Sequence, residues 1–198
     1  SPTAGSVIVS SLERSSRAIN TRQPVNQAPI NSAAKNLASH AQWLHVDHVG
    51  INRLAELGIS RGSGPLISFD AGYGVEDFDP NIVDLFVPTD RQMALRYPGV
   101  DLAVALENDS LKGGNTVAAT QGSAGSSGYS GFKVEVKSTL GAGDVFHGAL
   151  VAQIIHGFSL QEALHRANAV AALSCRGLDG QSMIPTTAEL NAFLEANK

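Results

Sequence analysis

The stretch STLGAGDVFHGAL, residues 138–150, combines residue types that suit phosphate chemistry. Glycine weakens a helix and a carboxylate is costly to bury among apolar residues, so packing alone does not favour this run. The first N–H groups of a helix have no internal acceptor and carry the positive end of the helix dipole. The amides of Gly141, Ala142 and Gly143, at the start of a helix, would therefore bind an anion without a basic side chain.

Asp144 follows these amides directly, and two interpretations of it stay open. A carboxylate beside an anion site is repelled by the phosphate, so a catalytic interpretation must give it a task. Removing the proton of an attacking hydroxyl is such a task in phosphoryl transfer. In the structural alternative, Asp144 is a first-turn acid that complements the helix dipole. Gly148, one turn further on, either leaves room for a substrate or lets a neighbouring helix pack closely.

Two further stretches could bind a ligand. GSAGSSG, residues 122–128, is either a flexible loop or a backbone-rich ligand cradle between two strand-like runs. Asn168 shares a helix face with small and apolar residues. Its amide either reads the edge of a flat ring such as adenine or is a satisfied core asparagine.

Other familiar sites are excluded by inspection. The sequence contains no GxxxxGK[ST] P-loop, and no GxGxxG with an acid at the end of the next strand. The histidines lack metal-ligand spacing, which also holds for His147, His156 and His165. His45 and His48 would lie on opposite faces around a strand end, so we interpret them as structural or surface residues.

A layered scaffold is needed to position these residues. From Trp43 onward, short apolar runs alternate with helix-like segments, the order that βαβ units with a parallel sheet produce. Ligands collect at the carboxyl ends of the strands in such sheets, where loops lead into helices. FKVEV, residues 132–136, is predicted to be a strand, and the last third is predicted to be helical over 141–157, 160–176 and 187–196. The helix after Asp144 is apolar nearly all round and is predicted to be buried on every side.

The front of the chain has a different pattern. Residues 7–20 are predicted to form a hairpin of two β-branched runs around a polar turn, and residues 21–36 to form a loop.

Composition narrows the class of protein. The chain has 198 residues, of which 43% are hydrophobic and 16% charged, which suits one globular domain. The net charge is -4 without a Lys/Arg run, which argues against nucleic-acid and membrane-surface partners and favours a small-molecule partner. No apolar run approaches membrane length and no signal peptide is visible. The single cysteine, Cys175, favours a reducing, cytoplasmic compartment.

STLGAGDVFHGAL resembles the D-T-x-G-A-G-D-x-F signature of the PfkB or ribokinase-like carbohydrate kinases. TVAATQGSAGSSGY, residues 116–129, is similar to the family's T-L-G-x-x-G nucleotide loop, and residues 167–185 are similar to its adenine-side helix and closing loop. The resemblance implies an α/β fold, a ribokinase-like three-layer sandwich with a mostly parallel central sheet. Residues 1–198 would form the C-terminal two thirds of a single α/β kinase domain. Residues 1–36 would supply a lid-adjacent hairpin and loop, while the front strands and part of the lid would lie outside this sequence.

The resemblance also implies an activity, the Mg-ATP-dependent phosphorylation of a primary hydroxyl of a sugar or related polyol. Asp144 would be the catalytic base, and the amides of Gly141, Ala142 and Gly143 the anion hole. Thr120, Gly122 and Gly125 would lie along the nucleotide phosphates, and Asn168, Ala171 and Gly177 around the adenine. Homodimers formed through the lid occur in the family. Within the family, the stretches WLHVD and RGLDG are most similar to the ketohexokinases and sulfofructose kinases.

Three departures from the family pattern matter. Ser138 replaces an acid that helps to organise a monovalent-cation site, which puts cation activation in doubt. Thr89–Gln92, TDRQ, stands where the family has N-x-x-E, so the placement of Mg²⁺ is open. Without the front strands, the remaining sheet would expose unpaired edges and apolar faces, so we expect these residues not to fold alone. A non-catalytic nucleotide- or sugar-phosphate-binding homologue and an inactive fragment therefore stay as alternatives.

Overall fold

The computed structural model describes residues 5–11, 16–22, 28–72 and 74–198. Its centre is a four-stranded parallel sheet in the order β3-β4-β5-β6. These strands are β3 (Trp43–Val46), β4 (Leu66–Ala71), β5 (Leu85–Pro88) and β6 (Thr116–Val117). The alternation of strands and helices from Trp43 onward therefore predicted the sheet correctly.

Helices cover both faces of this sheet. They are α1 (Ser32–His40), α2 (Leu54–Leu57), α3 (Asp90–Arg96), α4 (Leu102–Gly113), α5 (Ala142–Ile155), α6 (Leu160–Ser174) and α7 (Thr187–Ala196). Capping boxes start α6 at Ser159 and α7 at Thr186, where each cap hydroxyl accepts from a backbone N–H three residues on. Among the described residues, no helix is long and apolar enough to cross a membrane.

The alternation of side chains along each strand separates two hydrophobic layers. Phe86 of β5 points into the core shared with α1 to α4, whereas its neighbours Leu85 and Val87 point into the core shared with α5 and α6. The molecule is thus a sandwich of helices, sheet and helices. The predicted ribokinase-like three-layer architecture with a mostly parallel sheet is confirmed.

The front of the chain forms the predicted hairpin. β1 (Gly5–Ser11) pairs with β2 (Ser16–Arg22) in antiparallel register, and the turn between them lies outside the described residues. The loop prediction for residues 21–36 is wrong at its end, because α1 already begins at Ser32. The Asn31 side chain caps that helix by accepting from the backbone N–H of Ala34 at 2.8 Å. Residues 23–27 of the predicted loop lie outside the described residues.

Two further predictions are wrong. Residues 132–136 form no strand, because the Phe132 ring packs against His165 and Phe193 instead of continuing a sheet. Helix α5 is not buried on every side. Phe146, His147, Leu150 and Val151 are buried, while Asp144 and Gly148 are exposed.

Candidate active site

The mouth of α5 presents free backbone donors. Gly141 precedes the helix with φ of 74°, a left-handed conformation that favours glycine. Val145 N donates to Gly141 O at 2.9 Å, and Ala142 N makes a long bond of 3.3 Å to Thr139 O. The amides of Gly141, Gly143 and Asp144 have no protein acceptor among the described residues. These N–H groups can therefore donate to a bound anion.

The Asp144 side chain is turned toward this mouth. Its Oδ2 atom lies 3.9 Å from the position that a Cβ on Gly141 would occupy, and the residue is exposed. This geometry suits both a dipole-complementing acid and a base facing a ligand held by the amides. Asp144 also borders a cavity of about 470 Å³ that continues past Gly148 and Ala152 along α5.

Gly148 does not serve close packing between the described residues. A Cβ on Gly148 would meet no atom within 4 Å, and the same holds for Gly143. Of the two sequence interpretations of Gly148, this geometry favours the one that leaves room beside the helix.

The glycine-rich stretch forms a tight structure. β7 (Gly125–Ser126) pairs with β8 (Tyr129–Ser130) in an antiparallel hairpin. Gln121 N donates to Gly125 O at 2.8 Å, and a Cβ on Gly125 would clash with the backbone of Tyr129. The stretch is therefore no flexible linker. Gly122, with φ of 57°, has open space beside it.

Thr120 connects this hairpin to the sheet. Its N–H donates to Pro88 O at 3.0 Å, and its carbonyl accepts from Asp90 N at 2.8 Å. The loop, which follows β6, thus starts beside the carboxyl end of β5, and the contact of His147 with Asp70 near the end of β4 places α5 at the same edge of the sheet. The structure brings the two predicted phosphate-binding segments to one edge, as expected for a parallel sheet.

The predicted adenine-side residues pack against protein. Asn168 is 5% exposed, and its side-chain nitrogen donates to Tyr129 O at 3.2 Å, as a satisfied core asparagine would. Ala171 is half-buried beside the α5–α6 core. A Cβ on Gly177 would lie 2.9 Å from Met183 Cγ, so this glycine lets the closing loop pack against the end of α6. A role of these three residues beside adenine stays a prediction.

The positions that depart from the family motif have local partners. Thr89 caps α3, its hydroxyl accepting from Gln92 N at 3.1 Å. Gln92 is 8% exposed, and its Oε1 atom has no partner among the described residues. Ser138 Oγ accepts from Leu140 N at 3.1 Å. Within the described part of the chain, no group of three His, Cys, Asp or Glu residues is arranged to hold a metal ion.

The structure also assembles a polar cluster that the sequence analysis missed. His147 Nε2 lies 3.2 Å from Asp70 Oδ1, and the His147 ring stacks on His45 with centroids 5.7 Å apart. His45 Nδ1 is 2.8 Å from Ser68 Oγ. We call these four residues the histidine cluster. A signal was present, since Ser68 and Asp70 are polar at alternate positions of a parallel strand that should read as continuously apolar.

The electrostatics of the cluster are coupled. Burial acts to raise the pKa of Asp70, but the hydrogen bond and charge of His147 outweigh it, so this pKa lies below its ordinary value. The pKa of His45 is also lowered, first by burial of its ring and then by the charge of His147. The negative charges of Asp70, Asp47 and Asp144 act in the opposite direction on His45.

The fold is that of a known class. The structure superposes on ribokinase from Thermotoga maritima with a TM-score of 0.75, covering 98% of this chain and 70% of that one at 23% identity. Ribokinase from Arabidopsis thaliana, solved with ribose and ATP, gives a TM-score of 0.76 with the same coverage at 16% identity. These likenesses define a ribokinase-like fold.

The sequence match gives the family. Residues 80–187, more than half of the chain, match the model of the pfkB family carbohydrate kinases, and the chain belongs to this family. The ATP-dependent ribose-1-phosphate kinase of Halopiger xanaduensis is 30% identical over 67% of this chain. The chain spans 47% of the length of that relative. The similarity to ketohexokinases and sulfofructose kinases stays a prediction.

Proposed function

We propose that this protein transfers the γ-phosphoryl group of ATP to a primary hydroxyl of a sugar or related small polyol. The observation that carries the proposal is the mouth of α5, where Asp144 turns toward backbone amides that have no protein acceptor among the described residues. Membership of the pfkB family supports it. By their names, one relative described above is a ribose-1-phosphate kinase and the structural neighbours are ribokinases. These names support a sugar as the acceptor class.

The residues present fit a bound nucleotide. A Cβ at Gly122 or Gly143 would enter open space, so the backbone there can approach phosphate oxygens closely. When bound, Mg-ATP supplies the phosphoryl group and leaves as ADP. Mg²⁺ in such sites is held mainly by phosphates and water. We assign Gln92, whose buried Oε1 lacks a partner among the described residues, as the protein oxygen toward the metal or its water.

In this mechanism, each group at the α5 mouth has one task. Asp144 removes the proton of the acceptor hydroxyl while the hydroxyl oxygen attacks the γ-phosphorus. The amides of Gly141 and Gly143, with that of Asp144, stabilise the charge that develops on the transferred group. Ala142 N contributes once its long bond to Thr139 O gives way. The open space at Gly148 accommodates the acceptor beside the helix.

An ADP-release assay over a panel of sugars and polyols tests the proposal. Asp144→Asn removes the base while keeping size, so turnover should fall by about 10²–10⁴-fold while ATP binding measured by calorimetry stays nearly unchanged. Asp101→Asn is the matched control, because Asp101 caps α4 on the opposite face of the sheet from α5, and asparagine caps equally well. Equal turnover of Asp144→Asn and wild type would end the assignment of the base.

A non-catalytic homologue that binds nucleotide or sugar phosphate is the second candidate. Ser138, Thr89 and Gln92 favour it, because uncharged groups stand where the family pattern places an asparagine and two acids. The same assay, run with and without potassium, separates the two. Nucleotide binding without ADP release from any acceptor would favour the second candidate. We also propose a homodimer formed through the lid and a cytoplasmic location.

A further inference from the structure

The histidine cluster lies on the α5 side of the sheet, between the sheet and the helix that carries Asp144. β3 and β4 pair in parallel with His45 opposite Ser68, and alternation places both of these and Asp70 on the face toward α5. His147 reaches this face from the buried side of α5. The cluster therefore joins three elements, namely β3, β4 and α5, at the carboxyl edge of the sheet.

Stability alone does not explain this cluster. His147 is 4% exposed and Ser68 1%, so their polar atoms have left water. Replacing a buried ion pair by well-packed apolar residues is often neutral or stabilising, because desolvation offsets the attraction. The remaining side chains around this position, such as Val87 and Leu150, would suit an apolar contact. His147 is thus desolvated in a place where an apolar side chain could have packed, while the Asp70 side chain stays 21% exposed.

The cluster is close to the base that the proposed function requires. His147 follows Asp144 by three residues on α5, and side chains at this spacing are neighbours on a helix. Asp144 also acts electrostatically on His45 across the cluster. The charged and titratable groups that influence His45 are His147, Asp70, Asp47 and Asp144.

We propose that Asp70 and His147 are positioning residues for Asp144, because the pair between them, backed by His45, sets the rotation of α5 against the end of β4. This inference rests on the proposed function. A helix joined to the sheet only by apolar contacts can slide and turn slightly, whereas the polar contact between His147 Nε2 and Asp70 Oδ1, 3.2 Å apart, ties α5 to the end of β4 and so limits its rotation. The direction in which Asp144 meets the acceptor hydroxyl follows from that rotation.

The cluster also makes this positioning depend on pH. Protonation of His45 places a positive charge beside His147 and Asp70, and this charge competes with His147 for the Asp70 carboxylate. Because the pKa of His45 is lowered in the folded protein, turnover should fall only at a pH below the ordinary histidine value of 6.5, and His45→Gln should flatten that limb.

Three substitutions test the inference in the full chain. His147→Leu removes the bond to Asp70 but keeps an apolar side chain, and kcat should fall by about 100-fold with the KM for ATP unchanged. His147→Gln keeps a donor that can reach Asp70 and should recover most of the rate. His156→Gln, at the exposed C-terminal end of the same helix, is the matched control and should behave as wild type.

Amide hydrogen exchange gives a readout that needs no turnover. In His147→Leu and Asp70→Asn, the amides of 145–148 should exchange faster, while those of 150–155 keep wild-type protection. If wild type releases no ADP with any acceptor, the proposed function fails, and this exchange pattern still tests the positioning. Wild-type kcat and exchange in His147→Leu would overturn the inference. An equal loss of kcat in His147→Leu and His147→Gln that follows only the folded fraction would also overturn it. Such a loss would assign the pair a purely structural role.

Discussion

Gly141 and Gly180 meet backbone to backbone at the mouth of α5. A Cβ on Gly141 would lie 2.9 Å from Gly180 Cα, and a Cβ on Gly180 would lie 3.1 Å from Gly141 Cα and 3.3 Å from Leu140 O. The loop after α6 therefore presses directly on the turn that exposes the helix amides. Asp179 fixes this loop by accepting from the backbone N–H groups of Gln181 and Ser182 at 2.8 and 2.7 Å.

Gly180→Ala should disturb the amide cradle. The added methyl would press on backbone rather than on a flexible side chain, so the loop or the turn must shift, at a cost of about 1–3 kcal/mol. The KM for ATP should rise in the ADP-release assay, and the urea midpoint should fall. Gly64→Ala is the control, because a Cβ there meets nothing within 4 Å and φ is not positive. Identical behaviour of the two variants would contradict the close contact.

Gly148 should tolerate a side chain for folding but not for activity. A Cβ at this position meets nothing within 4 Å, and alanine is favoured over glycine inside a helix by about 1 kcal/mol. Gly148→Val should therefore keep the thermal midpoint near that of wild type and raise the KM for the acceptor. An unchanged acceptor KM would show that the space beside Gly148 is not used by the substrate.

The fold depends on a buried ion pair between α3 and α4, on the opposite face of the sheet from α5. Asp109 is fully buried and accepts from Arg96 Nε at 2.8 Å and from the Tyr97 hydroxyl at 2.6 Å. Arg96 also donates to the carbonyls of Val75 and Glu76, so it anchors a loop to α4. Asp109→Ala leaves the guanidinium without its carboxylate and should lower the free energy of unfolding by about 3–5 kcal/mol.

Urea titrations followed by circular dichroism measure this loss. Glu195→Ala, which breaks an exposed pair with Lys198, should leave the urea midpoint unchanged. Activity per folded molecule should be unaffected in both variants. A small effect of Asp109→Ala would mean that water or a rearranged side chain compensates for the lost carboxylate.

Stability should depend on pH in two windows. The pKa of His45 is lower in the folded protein than its ordinary 6.5, so between these values the unfolded chain binds more protons. The contribution of His45 to the free energy of unfolding is therefore fully present above pH 6.5 and falls as the pH drops below 6.5. The lowered pKa of Asp70 adds a second loss below its ordinary 3.8.

His45→Gln should remove the upper window and leave the lower one. Unfolding free energies measured at intervals from pH 8 to below pH 3.8 would show this as a flat response just below pH 6.5 in the variant, with the loss below pH 3.8 retained. A wild type whose stability rises as the pH falls from 7 to 5 would contradict the direction of the His45 shift.

Local patterns were sufficient for much of the fold. The run of β-branched and apolar residues at 66–71 and the caps at Ser159 and Thr186 are local features, and the strand and both helices formed where such signals predict them. The strand prediction for residues 132–136 was wrong. An alternating pattern shows only that one side of a segment packs, whereas a strand also needs a neighbouring strand to pair with.

The sequence by itself determined the amide-rich turn at Gly141, since glycine spacing and a helix start are encoded within a few residues. It could not determine that His45, Asp70 and His147 meet, because they come from three separate elements. Only the parallel register of β3 and β4 and the packing of α5 on that face brought them together. Which side of α5 stays open was also decided by tertiary packing, since the helix is apolar nearly all round and its own pattern selects no buried face.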